Sequence, residues 1–521
     1  MFYKLKRHRA ALVLSFVASA LSAQVQHDLP TIAITTSTPL NAQRKVEAHM
    51  TTEGYDGAIG IKLRGNSSLG FNQKKYTIET RDADGEEIDV SLFGLPVHSD
   101  WVLLAPYCDV SMLRDPLAFQ LWRDMGHWGP RTVMCEVTMD GSYRGIYILS
   151  EAIRRGVDRV NISKLKKSDT SGREVTGGYL LRIDTSNEDD ATFTSKVPGI
   201  GEGIMSSEVV WSCFHPKRKN LQPEQLAYIQ SYVDTVEQVI QSDYFADPVK
   251  GYARYIDVPS FVDYFIHTEL SLNADAYRRS AYFYKEKQKA DGTGGKLFAG
   301  PVWDYNYAYG NSNLANADEP ESWCYEGGSN NPTPALWQRL LQDPNFRKAV
   351  KKRYQALRKN VLSNKAINAF IDRQVKLLAK AVDHHFQTYP ELLVTEEQKL
   401  NFEKNKKQNP MGGMFPPMGG MPQMGGFPPM GEMPQMGGFP PMGEMPQMGG
   451  GMPQMVDAFA AYRVCSYEEE IMVLKQWLAD RLAFLDRQIA RFDKDWQPRI
   501  QPLVEKKMQF PFGGLPMGPH N

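Results

Sequence analysis

The sequence lacks an excess of charge of either sign. Lys and Arg total 60, and so do Asp and Glu, in 521 residues. A nucleic-acid or acidic-membrane binder needs a basic surplus, so neither partner is expected. Cysteine is scarce: Cys108, Cys135, Cys213, Cys324 and Cys465 are all there are. None forms a CxxC pair, which leaves a zinc site or a thioredoxin-type dithiol without support. An odd number leaves at least one thiol unpaired in any disulfide scheme, with Cys108–Cys135 one pairing the sequence leaves open. Beyond the first residues there is no apolar run of about 18 or more, so no integral membrane segment is expected once a leader is removed.

What is present begins with an address. Residues 1–23 read as a secretory signal peptide. Lys4, Lys6, Arg7 and Arg9 are followed by the apolar run Ala10 to Ala20, and then by small residues at Ala18-Ser19-Ala20 or Ala23. That order of charge, apolar run and small residues is what a signal peptidase recognises. No cysteine stands near the cleavage zone, so no lipid anchor is expected. The expected location is secreted, periplasmic or on the cell surface. Losing four basic residues leaves 56 against 60, a net charge of −4.

Methionine is the second surplus. Of 23, 13 lie between Met411 and Met455. The segment repeats with a period of 12: FPPMGGMPQMGG from Phe415, then FPPMGEMPQMGG from Phe427 and Phe439. Proline and glycine at this density support neither a helix nor a ladder. We therefore expect a disordered insertion over 401–455. Thioethers at MxxM spacing also offer Cu(I) a soft site, the alternative to a plain spacer.

The rest divides by pattern. Residues 24–165 are rich in strand signals, with Asp140-Gly141 as a hairpin turn. A helix is expected from Met112 to Met125, its leucines four apart. Residues 166–400 turn mixed and then helical, with helices over 227–240 and 258–272 and more from Pro334 to Tyr389. "SAYFYKE" and "KLFAGPVWDYN" read as two strands joined by a Gly-rich turn. Ser363 is an expected N-cap. Residues 456–497 hold a last helix, capped by Ser466 with Glu469 and apolar at Ile471, Leu474, Leu478, Leu482, Leu485 and Ile489. Residues 498–521 are an expected flexible tail. His384-His385 reads as a solvated face, Arg154-Arg155 as a surface charge run with an acidic substrate as the alternative, and Trp101 and Trp303 as core aromatics.

Three stretches carry candidate chemistry. The turn Arg64-Gly65-Asn66-Ser67-Ser68 precedes a strand that opens with Lys74 and Lys75. Backbone N–H groups in such a turn can cradle phosphate, and a strand-borne lysine can reach the same anion. Further on, Asp275 is followed five residues later by Ser280, then a hairpin, then Asp304. Protein kinases use that order: the first Asp aligns the nucleophilic hydroxyl, and the later two groups hold Mg²⁺ against ATP. Taken singly, each Asp is an ordinary turn residue.

The sequence resembles the CotH-like (spore coat protein H) atypical protein kinase family. The stretches that carry the resemblance are "IKLRGNSS…KKYTIE", "LPVHSDWVLLAPYCDVSMLRDPLAFQL", "YRGIYILSEAIRRGVDRVNI", "TGGYLLRID", "FVDYFIHTELSLNADAYRRSAYFYKE", "KLFAGPVWDYNYAYGN" and "LKQWLADRLAFLD". It runs from about residue 31 to 400 and resumes near 456. The resemblance implies an α+β, protein-kinase-like two-lobed fold, with a β-rich N-lobe and a mostly helical C-lobe. It implies ATP, Mg²⁺ and phosphoryl transfer to Ser or Thr of a protein substrate. Lys74 then matches the nucleotide-phosphate lysine, Asp275 the catalytic Asp and Asp304 the metal-binding Asp. Asn66, Ser67 and Ser68 line the phosphate turn, and Glu151 falls where a lobe-connecting hinge is expected. Ser280 stands where the family commonly has Asn, and Asn306 where many members have a second acid. These two departures keep a second reading open, a non-catalytic pseudokinase-like binding or surface-assembly module.

Overall fold

The computed structural model describes residues 29–184, 190–200, 208–273, 275, 277–327, 333–408 and 460–501. The expected signal peptide, the 12-residue repeats and most of the expected tail lie outside them. The fold is mixed α+β, strand-rich at first and helical later.

The first strands form more than a β-rich lobe: they close into a ring. β1 (Thr31–Thr36), β2 (Val46–Thr52), β3 (Tyr55–Arg64), β4 (Lys75–Thr80), β5 (Asp100–Leu104), β6 (Thr132–Met139) and β7 (Ser142–Glu151) make a closed barrel in the order β1-β2-β3-β4-β5-β7-β6. Closure comes from a parallel pairing of β1 with β6, Ile32 opposite Val137. Asp140 and Gly141 turn the β6–β7 hairpin at φ 52° and 74°, the doubly left-handed turn that matches strand twist. The interior follows the period of two: Ile32 and Ile34, Ile59 and Ile61, Tyr76 and Ile78, Trp101 and Leu103 pack together. The opposite faces of β5, β6 and β7 are apolar too, and Val102, Leu104, Met134 and Ile148 join the main core.

That main core belongs to the rest of the chain. α1 (Arg114–Asp124) runs between β5 and β6 in sequence and buries Leu117, Phe119, Leu121 and Trp122. A second sheet follows, built from β8 (Tyr179–Ile183), β9 (Ala191–Thr194), β11 (Val210–His215), β12 (Ala281–Lys285) and β13 (Leu297–Ala299), in the order β13-β12-β8-β11-β9. A short pair, β10 (Gly199–Ile200) with β14 (Thr333–Pro334), lies apart from it. The helices are α2 (Pro223–Gln241), α3 (Val258–Ser271), α4 (Ala335–Gln342), α5 (Pro344–Arg358), α6 (Asn364–Leu378), α7 (Val382–Thr388), α8 (Glu396–Gln408) and α9 (Tyr467–Ile489).

Ser363 caps α6 by accepting the Ala366 N–H. Ser466 caps α9, while Glu469 reaches back to the N–H of Cys465 rather than of Ser466. All six expected apolar positions of α9 are buried.

Two expectations are corrected, and the cysteine pairing left open is answered. α8 continues to Gln408, so 401–408 is helix rather than insertion. All five cysteines are free thiols, and Cys108 and Cys135 are each buried apart. His385 is fully buried, not solvated, and its Nδ1 accepts the Ile146 N–H beside the β6–β7 bulge.

Candidate functional site

The parity of β4 decides which lysine reaches the site. Tyr76 and Ile78 point into the barrel, so Lys75 and Thr77 point out of it toward the helical half. Lys75 Nζ lies 3.4 Å from Asp304 Oδ1. Lys74 turns away and donates to the Leu69 carbonyl at 2.7 Å. The expectation placed Lys74 at the nucleotide phosphates; the lysine brought to Asp304 is its neighbour. Burial alone would lower the Lys75 ammonium, but the charges of Asp304, Cys108 and Asp115 outweigh it and raise it above the ordinary lysine range.

Asp115, on the first turn of α1, is the member that sequence reasoning missed. It is buried, and its Oδ1 accepts the N–H of Tyr305 at 2.6 Å, so it fixes the backbone just after Asp304. Burial pushes its carboxyl up to about 7, with Lys75 opposing and Asp304 reinforcing the rise. Its only sequence signal was an acid at a helix start, which normally reads as dipole compensation.

Asn273 is a second omission. Its Oδ1 accepts the N–H of Asp275 at 3.2 Å, and its Nδ2 donates to the carbonyl of Asp304 at 3.1 Å. One buried amide therefore ties the backbones of both candidate aspartates. The Tyr307 hydroxyl is pushed up chiefly by burial, and Cys108, Asp275 and Asp304 all add to it, so both carboxylates act on one neighbourhood. Asp275 also faces Arg278 at 3.5 Å.

Strain gathers here. Leu272, Tyr277, Ser280, Asp304 and Tyr309 all have positive φ, between 44° and 66°, although none is glycine. Such conformations cost ~1–3 kcal/mol each and cluster where function requires them. Ser280 immediately precedes β12, and Asp304 follows its partner β13. The side-chain amide of Asn306 is committed to Cys108 Sγ at 2.8 Å.

The turn after β3 is tight. Gly65 has φ 124°, and a Cβ there would meet Ser68 Oγ at 1.9 Å, so only glycine fits. Asn66 and Ser68 accept from Leu69 and Phe71 in a 3₁₀ turn that includes Ser67. Glu151 ends β7 fully buried, its carboxylate taken by Arg131 and Arg159. It acts there as an ion-pair clamp, with no oxygen turned to the Lys75–Asp304 pair.

Among the described residues no group of three or more His, Cys, Asp or Glu could enclose a metal. Mg²⁺ needs no such cage, since one or two carboxylates beside phosphate oxygens suffice. Asp304 fits that role: its side chain is 34% exposed, and the side chains of Asn273 and Asp115 hold its carbonyl and the N–H that follows it in place.

A family model described as CotH kinase protein matches residues 61–409. The chain belongs to this family. The inner spore coat protein H of Bacillus subtilis (strain 168) is 23% identical over 297 residues, which cover 56% of this chain and 69% of that protein. The matched range includes Lys75, Asp115, Asn273, Asp275 and Asp304, but ends before α9. Among the described residues no helix is long and apolar enough to cross a membrane.

Proposed function

We propose that this CotH-family chain is a kinase that transfers the ATP γ-phosphate to Ser or Thr of a protein. The observation that carries the reading is the buried Lys75 against Asp304 at 3.4 Å, with Asp115 behind both. A lysine and an acid so placed orient phosphates and neutralise charge, which is most of what phosphoryl transfer asks of a protein. In this reading the barrel is the N-lobe and the helical half the C-lobe of a kinase-like pair. Asp304, with Ser280, would hold Mg²⁺, which supplies charge neutralisation between phosphate oxygens when bound. Lys75 would bind the phosphates, with the Asn66–Ser68 turn beside it. Asp275 would align the acceptor hydroxyl and receive its proton. Asn273 keeps the two aspartates in register. An exported or surface location accords with the leader pattern of residues 1–23.

The test is transfer of labelled γ-phosphate by purified protein with ATP and Mg²⁺, comparing wild type with Asp304→Ala. Equal incorporation, or none in either, ends the enzyme reading. One observation favours the alternative, a non-catalytic module: the Asn306 amide is spent on Cys108, so the second acid of the family pattern has no replacement. A thermal shift with ATP/Mg²⁺ separates the two, since only a surviving nucleotide site raises the melting temperature.

A further inference from the structure

Five cations run from the Lys75–Asp304 pair to the second sheet, Arg64 feeling the charges of Asp304 on one side and of Arg154 and Arg182 on the other. Arg64 is the cross-strand partner of Lys75, so the two side chains share a face. Its guanidinium lies 5.1 Å from the ring centre of Trp303, the residue before Asp304. On the second sheet, Phe214 packs edge-on against Tyr282 at 5.4 Å. Three cations surround the Phe214 ring: Lys217 at 4.3 Å, Arg182 at 5.3 Å and Arg154 at 6.0 Å. Arg155 follows Arg154 in sequence. The charges of Arg155, Arg154 and Lys217 join burial in pushing His215 down to about 4, which places Arg155 in the same positive field.

Three of these cations are held in ion pairs by carboxylates, one of which, Asp100, is shared with Lys45 at 3.5 Å. Asp100 pairs with Arg154 at 2.7 Å, and Asp184 with Arg182 at 3.2 Å. Asp190 pairs with Arg182 at 2.7 Å and Lys217 at 2.9 Å. Among the described residues Arg64 and Arg155 have no carboxylate at ion-pair distance, although the charge of Asp304 acts on Arg64. The Nε of Arg155 is buried without a hydrogen bond, as is that of Arg182. A desolvated guanidinium without an acceptor is costly, and an anion removes that cost.

We propose that Arg64, Arg154, Arg155, Arg182 and Lys217 form a second anion seat beside the transfer site, matched to a phosphoryl dianion. Arg64 and Arg155, the two cations outside the ion pairs, are the guanidiniums such a group would meet, and a phosphate monoester carries roughly −1.5 to −2 at neutral pH. A single carboxylate would leave one cation uncompensated. Guanidinium forks also suit phosphate better than a point charge does. Two sources carry this group: the nucleotide's own phosphates, or a phosphorylated residue of the protein acceptor. The seat rests on the kinase reading only for those sources; its existence is a binding property that needs no turnover.

The test is calorimetric titration of the full chain without Mg²⁺. The probes are inorganic phosphate, ADP, and a phosphoserine peptide beside its unphosphorylated twin. The variant is Arg64→Gln with Arg155→Gln, chosen because neither change orphans a carboxylate; Arg155→Lys is the conservative control. Wild type binds the phosphate-bearing probes saturably, and the double variant weakens this roughly tenfold or more at unchanged melting temperature. Weakening of ADP and phosphate alone assigns the seat to the nucleotide; weakening of the phosphopeptide as well assigns it to the acceptor. No saturable binding of any probe, or equal affinity in the double variant, overturns the proposal. Asp304→Ala in the same titration keeps the seat, so failure of transfer and failure of this site are read separately.

Discussion

Lys74 and Lys75 have the same chemistry but face opposite ways. Lys75→Met is expected to lower phosphoryl transfer by about 10²-fold or more, while Lys74→Met changes it less than about threefold. Steady-state transfer assays on the two variants check this, and the reverse order would refute the assignment. Asp115 gives a pH signature. Its carboxyl rests at about 7 in the fold against an ordinary 3.8. Between those values the native state holds a proton that the unfolded chain has lost, so stability falls as pH rises through that window and levels off above it. Asp115→Asn removes that component. Its unfolding midpoint should therefore fall less than wild type's from about pH 4 to about pH 7, measured by thermal denaturation. Glu269, also raised to about 7 by burial, remains in the variant, so the slope shrinks without vanishing. A slope equal to wild type's would sink the idea. The candidate aspartates were legible because order and spacing along the chain carry them. Asp115 and Asn273 were not, because their roles exist only across contacts between α1, α3 and the segment after β13.

At the scale of elements, α9 does more than close the core. Arg481, fully buried, donates Nε to the Glu269 carbonyl at 2.7 Å and also binds the carbonyls of Pro320 and Ser322. Glu269 in turn accepts from Tyr277, Cys324 and Tyr325, so the helix braces the strained loop that carries Asp275. Nearer its start, Glu470 pairs with Arg114 at 2.6 Å, next to Asp115. Leu478→Ala is expected to cost ~2–5 kcal/mol by leaving a cavity, and Ser466→Ala ~1 kcal/mol by removing a cap. Urea unfolding measures both, and a larger loss from the cap than from the core would contradict the packing described. The cap and apolar stripe of α9 were readable because both are local periodic signals. Its hold on the site was not, since buried charges are invisible to a pattern of apolar positions. The end of α8 was misplaced because its polar composition, EEQKLNFEKNKKQ, gives no amphipathic stripe and runs straight into proline and glycine.

At the scale of the molecule, the chain leaves α8 and returns close by. Lys406 reaches the Ala461 carbonyl at 2.8 Å, and Val394 N–H bonds the Val464 carbonyl at 3.1 Å. Replacing 409–459 with a short Gly/Ser link should therefore keep the fold. Loop entropy changes by only about 1–2 kcal/mol for such a shortening, in favour of the native state. An unfolding midpoint at or above wild type's checks this; a collapse would mean that the segment carries structural weight. Strand-rich followed by helical order was readable from composition and turn signals. Closure was not, because the parallel β1–β6 pairing joins residues about a hundred positions apart and leaves no trace in either strand's own pattern. It has a consequence for how an acceptor of the proposed transfer would dock. A ring of seven strands presents no free row of N–H and C=O groups, so an extended peptide cannot be captured by becoming an eighth strand. Among the described residues the open edge of the second sheet is at β9, because the outer side of β13 is taken by Tyr255, Asp257 and Ser260. On the barrel side, an acceptor of the proposed transfer would be read by side chains and loops alone.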